Sequence, residues 1–273
     1  MLSGVKNRIV AAIARDISSS AAVFAICCFI FSVTAKSGAQ VSGKTPIFVE
    51  LFTSEGCSSC PPADKYIATL DTIQPIPSAQ FIVLSEHVTY FNHEGWIDPY
   101  SLQSITERQD AYVHAMHLKE PYTPQVIVNG DRVLPLDDAP KARDIFEEAT
   151  TTHTVPIVLS PVMANAADKK RFRLHVSIVG SAVQKPAGVY VAVALNHAKS
   201  FVGAGENEGR SLSHVAVLQS MTKVGEVKPG EPFSREISVK VQTKNAAQAT
   251  RLIVFIQTPG PGKVLGAAMM AVH

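Results

Sequence analysis

The rhythm of hydrophobic positions changes near the middle of the chain. As far as about Thr152, continuous apolar runs alternate with stretches of helical spacing. Ile47–Phe52 is apolar apart from Glu50, as expected for a strand buried on both faces. Phe81–Val88 is a second run of that kind. A helix is predicted through Ala63–Leu70. Another is predicted over Ser101–Leu118, where Leu102, Ile105, Tyr112, Val113 and Met116 form one apolar stripe. Asp98-Pro99 just upstream supplies breaker and start signals. Gln125–Val128 and Arg132–Leu136 flank Asn129-Gly130-Asp131, a hairpin signal. Asp138–Ala149 reads as a helix capped by Asp137 or Asp138. The predicted order is β-α-β-α-β-β-α.

Beyond Pro156 the chain alternates with period two. Phe172, Leu174, Val176 and Ile178 share one face of a strand over Arg171–Val179. Val189–Leu195, Phe233–Val241, Arg251–Gln257 and Val264–Val272 read as further strands, the last two joined by Thr258-Pro259-Gly260-Pro261-Gly262. Short strands with turn punctuation predict a sandwich of about seven strands. The expected organisation is an α/β domain over 44–152 and an all-β sandwich over 153–273, linked near Thr150–Pro161.

The first 39 residues read as an export signal. Lys6, Arg8 and Arg15 form a basic start, Ala21–Ala35 an apolar core, and Val33-Thr34-Ala35 and Ser37-Gly38-Ala39 are candidate cleavage sites. The core is about 15 residues against the roughly 20 that span a bilayer, so a periplasmic or secreted protein without stable membrane insertion is expected. An uncleaved anchor is the alternative. The formal charge of the whole chain is +2. Residues 1–39 hold four basic side chains and one acid, so the remainder carries 21 basic and 22 acidic groups. A near-neutral chain offers nucleic acid no electrostatic footprint.

Cys57-Ser58-Ser59-Cys60 follows the first apolar run and precedes a helix. Two thiols at this spacing suit a dithiol–disulfide couple, half of a zinc site, or two inert core thiols. The only other cysteines, Cys27 and Cys28, lie in the candidate signal. An oxidising compartment favours the disulfide. Cys57, at the lip between strand and helix, is the expected nucleophile, and Cys60, shielded by the helix, the resolving thiol. Glu55, two residues before Cys57, should raise the thiol pKa.

The element order, the run Val49-Glu50-Leu51-Phe52 into Cys57, and a Thr-Pro before the hairpin resemble thioredoxin-like proteins. More narrowly, LFTSEGCSSCPPAD (51–64), Gly95-Trp96-Ile97-Asp98-Pro99, Tyr122-Thr123-Pro124-Gln125 and Gly205-Glu206-Asn207-Glu208-Gly209-Arg210 resemble an exported bacterial family, domain-of-unknown-function family 1223. The resemblance implies a thioredoxin-like α/β domain, from which a helical insertion over roughly 89–118 is a departure. It also implies Glu50 as a buried proton relay for Cys60, though at a spacing one residue longer than usual. Pro124 is expected to be cis and to face the cysteines, with the Thr123 backbone pairing to an extended substrate.

His87, Tyr90, His93 and Trp96 are candidates to wall a substrate cleft, or simply to pack a loop. His114 and His117 read as a solvated helix surface, with metal ligation the alternative, and Glu206–Arg210 with His214 as a crossover loop, with a partner- or domain-contact loop the alternative. The expected activity is thiol–disulfide exchange with protein or peptide thiols and an unidentified redox partner, with no cofactor implied. Two alternatives stay open. One is a copper- or zinc-handling protein using Cys57 and Cys60 with His87 or His93. The other is a binding module in which the disulfide only staples a loop.

Overall fold

The apolar run after Lys44 forms strand β1, Thr45–Thr53, almost wholly buried. Its side chains alternate between two cores. Ile47, Val49 and Leu51 pack with helix α1 (Pro61–Ile73) and helix α3 (Ala139–Thr151), while Phe48 and Phe52 pack with helix α2 (Gln103–Ala115). Pro61 and Pro62 begin α1, where a fixed φ suits the first turn and no N–H is lost from the ladder. Asp138 caps α3, accepting the Lys141 N–H at 3.0 Å. β2, Ala79–His87, lies parallel to β1. β3, Gln125–Val128, runs antiparallel to β1 on its other side and pairs with β4, Arg132–Leu134. The computed structural model describes residues 43–93, 95–162, 171–180, 183–240 and 249–272. The expected signal over 1–39, with Cys27 and Cys28, and Val241 lie outside the described residues.

The second half supplies β5 (Ile157–Val162), β6 (Arg171–Ile178), β7 (Ala187–Phe201), β8 (Ser211–Val227), β9 (Phe233–Lys240), β10 (Thr250–Gln257) and β11 (Val264–Val272). Here the expected fold class fails. The chain does not build a thioredoxin-like α/β domain followed by an all-β sandwich. One eight-stranded mixed sheet, in the order β11-β10-β7-β8-β2-β1-β3-β4, takes strands from both halves. Among the described residues strand makes up 45% and helix 19%, with three helices, so this part of the chain is mostly β.

The physical cause is the edge of β2. Its side chains are buried on both faces, and an apolar edge strand exposed to water would be a site for unwanted pairing. β8 covers it, pairing in parallel at Ser85–Val217 while pairing antiparallel with β7. Phe48 of β1 stacks on Phe255 of β10, with ring centroids 4.8 Å apart. Arg251 of β10 forms two hydrogen bonds with Asp71 of α1, at 2.7 and 3.0 Å. A three-stranded sheet, β5-β6-β9, closes a further apolar core against β7 and β10. Among the described residues no helix is long and apolar enough to cross a membrane.

Candidate functional site

β1 ends at Thr53 and the chain turns sharply into the cysteine loop. The Gly56 N–H meets Ser54 Oγ at 3.1 Å, and the Cys57 N–H meets the Ser54 carbonyl at 3.2 Å. A Cβ at Gly56 would stand 2.9 Å from Cβ of Phe91, so the approach of the two loops requires glycine there. Cys60 is the N-cap of α1, and its carbonyl accepts the Ala63 and Asp64 N–H groups. Cys57 and Cys60 form a disulfide, Cα to Cα 5.4 Å. Ser59 Oγ lies 3.4 Å from Cys57 Sγ.

Cys57 is not on an exposed lip. It is 2% exposed and Cys60 0%. The loop 203–210 between β7 and β8 closes over it. The buried Asn207 side chain donates from Nδ2 to the carbonyls of Glu55 and Cys57, both at 2.9 Å. Arg210 holds Asn207 Oδ1 at 2.6 Å. Glu206 Oε2 accepts the Ser58 N–H at 2.9 Å, and Ser58 holds that carboxyl below the usual carboxylate range. The stretch expected to be a plain crossover loop is therefore in contact with the dithiol motif.

Beneath the motif lies a buried polar cluster. Glu55, 0% exposed, turns away from the thiols: its carboxylate accepts from Trp96 Nε1 at 2.9 Å and from the Ser200 hydroxyl, and meets His214 Nε2 at 3.3 Å. His214 Nδ1 faces Asp64 Oδ1 at 3.1 Å, and Thr53 donates to Asp64 Oδ2 at 3.2 Å. Burial alone would lower the imidazole pKa, but the hydrogen bonds and charges of Asp64 and Glu55 outweigh it and raise His214 to about 9. The His87 ring stands edge-on to His214 at 4.7 Å. Its Nδ1 meets Asp98 Oδ2 at 2.7 Å, while Nε2 finds no hydrogen-bond partner among the described residues. Burial works to raise Asp98, yet His87 and the N–H groups of Glu55 and Tyr100 bring it below its ordinary value.

The sequence-derived candidates therefore separate into three places. His87 and the half-buried Trp96 belong to this polar cluster, through Asp98 and Glu55. Thr123-Pro124 has a cis peptide bond, and Pro124 lines a groove of about 1010 Å³ with Ser59, Pro62, Tyr66, Leu136 and Phe146, between α1 and α3. This groove is the open surface next to the dithiol. Glu50 stands on the opposite face of β1 from α1. Arg108 Nε and Nη2 donate to its Oε1 at 2.8 and 2.5 Å, and the Tyr112 hydroxyl to Oε2 at 2.6 Å. Beside it Glu86 is buried, its carboxyl raised well above the ordinary range by burial first and then by the charge of Glu50. A carboxylate committed to α2 in this way does not face the Cys60 thiol.

The sequence marks Glu206, Asn207 and His214 only as a polar, glycine-bearing stretch and gives no signal for Asp64 or Ser200 as site residues. Asp64 lies within the cysteine motif itself, and spacing alone placed it on a helix. The other four come from strands and a loop some 150 residues later. Among the described residues no group of three or more histidine, cysteine or acidic side chains is arranged to hold a metal ion.

A crystal structure of a protein from Agrobacterium tumefaciens is similar to this one, at 25% identity and a TM-score of 0.61, covering 82% of this chain and 93% of that one. The sporulation control protein Spo0M from Bacillus subtilis matches more distantly, at 8% identity and a TM-score of 0.32, covering 44% of this chain and 49% of that one. No curated protein matches the sequence. The family model described as protein of unknown function (DUF1223) matches residues 48–257, and the chain belongs to that family.

Proposed function

We propose that the protein is an exported thiol–disulfide exchange protein in which Cys57 and Cys60 cycle between dithiol and disulfide. The observation that carries this reading is the disulfide itself, formed at a strand–helix junction beside an open groove. Ser59 and Pro124 both line that groove, so a cysteine-bearing peptide lying in it would run alongside the motif. Its walls are largely apolar, which suits the side chains of a protein or peptide thiol. The partner thiolate attacks Cys57 Sγ, the Cys57–Cys60 bond breaks, and Cys60 leaves as a thiolate; the reverse sequence returns the disulfide. Export is proposed from the basic start and apolar core of residues 1–39.

The test is a redox titration of the protein against glutathione with thiol-specific mass labelling. Cys57 and Cys60 should gain labels together as the buffer becomes reducing, with the oxidised form lighter by about two mass units. Thiols that stay free under mild oxidant, or a disulfide that never equilibrates, would reject the reading.

A second reading is favoured by one observation, the burial of Cys57 under loop 203–210. In it the disulfide is a structural staple and the groove binds a partner without redox chemistry. Failure to equilibrate with glutathione in the native state, with exchange appearing only on unfolding, would select it.

A further inference from the structure

Asp64 lies one helical turn beyond Cys60, a spacing that sets two side chains on the same face about 5–6 Å apart at Cβ. Both residues are buried, Cys60 at 0% and Asp64 at 5% exposure. Behind Asp64 is His214 of β8, whose two ring nitrogens meet carboxylate oxygens of Asp64 and Glu55 at 3.1 and 3.3 Å. A neutral imidazole has a single N–H, so two carboxylate acceptors on opposite nitrogens call for the doubly protonated ring. The ionisable groups around it come from every neighbouring element: Asp64 from α1, Glu55 from the cysteine loop, His87 from β2, and Asp98 and Tyr100 from the loop after β2. Cys60 thus lies on the same helix face as an acid–imidazolium pair sealed from solvent.

We propose that His214, acting through Asp64, is the proton store for Cys60 during thiol–disulfide exchange. The inference rests on the exchange reading above. When a partner thiolate attacks Cys57, the sulfur–sulfur bond breaks and its electron pair goes to Cys60. His214 gives up one proton, relayed by the Asp64 carboxylate, and Cys60 becomes a neutral thiol. His214 is left neutral, keeping one N–H for one of its two carboxylates. In the reverse step the Cys60 proton returns by the same route, the Cys60 thiolate attacks Cys57, and the partner leaves as its thiolate. The His214 proton passes readily to a thiolate at Cys60, because burial increases the affinity of a thiolate for a proton. Without it, reduction would leave a bare thiolate in the interior, at a desolvation cost. Asp64 relays the proton and His214 stores it, and neither touches the partner thiol.

The experiment follows closure of a glutathione adduct on Cys57 by Cys60, from pH 5 to pH 10, in the wild-type protein and in Asp64→Asn and His214→Gln. Closure should slow about 100-fold or more at pH 7 in both variants. Its pH profile should shift, Asp64→Glu should recover part of the rate, and alkylation of Cys57 in the reduced protein should stay unchanged. Nuclear magnetic resonance of the His214 ring in the wild-type protein gives a reading that depends on no variant. Its titration should move between the disulfide and dithiol forms, because Cys60 titrates in only one of them. Wild-type closure rates in both variants, or an identical His214 titration in both redox forms, would overturn the inference while leaving exchange intact. A wild-type protein that exchanges nothing with glutathione would remove the exchange reading and this inference together.

Discussion

Asn207 and Cys57 are 150 positions apart in sequence, yet the Asn207 amide donates to the Cys57 carbonyl at 2.9 Å. The same nitrogen also holds the Glu55 carbonyl, so one side chain fastens the loop 203–210 onto the turn that presents the disulfide. Asn207→Ala removes both bonds, leaving the Glu55 carbonyl without a partner and the Cys57 carbonyl with the Cys60 N–H alone, a loss of about 1–3 kcal/mol. The disulfide should then be reduced faster by dithiothreitol at 25 °C, and chemical denaturation should give a lower midpoint. A reduction rate equal to that of the wild type would show that the loop does not restrict access to Cys57.

Cys57 and Cys60 should behave differently when one is removed. In Cys60→Ser, the Cys57 thiolate can still attack but nothing expels the partner, so mixed disulfides should accumulate on exposure to peptide disulfides. In Cys57→Ser the remaining thiol is wholly buried and should form almost none. Non-reducing gels followed by mass analysis of the adduct test this. Equal trapping by both variants would reverse or cancel the assigned roles.

The His214 ion pairs give stability a pH dependence of known sign. The folded pKa of about 9 lies above the ordinary 6.5, so the native state binds the proton more tightly than the unfolded chain. This contribution is complete below about pH 6.5, diminishes as pH rises, and is gone above about pH 9. Because the ring is largely buried, it amounts to a few kcal/mol in order of magnitude. Unfolding midpoints of the wild type should fall between pH 6.5 and 9, and His214→Gln should flatten that fall. A parallel decline in both proteins would place the pH dependence elsewhere.

Glu50 and Arg108 form a structural pair. Arg108→Met would strand the Glu50 carboxylate in the core and should cost about 3–5 kcal/mol. Glu50→Gln should leave the rate of mixed-disulfide closure unchanged, because its carboxylate faces α2 and away from α1. Glu86→Gln should cost little at neutral pH. Its carboxyl is raised, so the native state holds that proton more tightly than the unfolded chain, and stability falls as pH rises above the ordinary range. The amide removes that fall, and urea titrations of the three variants at pH 5 and pH 8 provide the comparison.

The strands with continuous apolar runs, β1 and β2, were legible in the sequence, as was α3 with its Asp138 cap. β8 was not, and the fold class was misjudged with it. Its sequence mixes Ser, His, Gln, Lys and Glu among the apolar residues, Ala216 has a positive φ of 50°, and its pairing with β7 shifts register twice. Period-two reading fails across such irregularities. Without β8 nothing in the sequence joined the two halves, so each was read as its own domain. Glu50 was misread for a smaller reason. Strand side chains alternate faces, so a spacing longer by one residue turns a carboxylate to the other side of the sheet. Asp64, partnered across the fold by His214, shows no such relationship in local sequence.

The strand order also fixes what can be removed from this protein. A chain ended at Thr152 would retain Cys57, Cys60, Pro124 and the whole groove, and would look from its motifs like a minimal redox module. It would lack β8, and with it the cover along the apolar edge of β2. It would also lack Asn207 and His214, so Asp64 and Glu55 would lose the imidazole that stands between them. Such a fragment should associate through the bare edge instead of working alone. The dithiol and its surroundings form one piece, and a change in the sequence around β8 changes the environment of the disulfide with it.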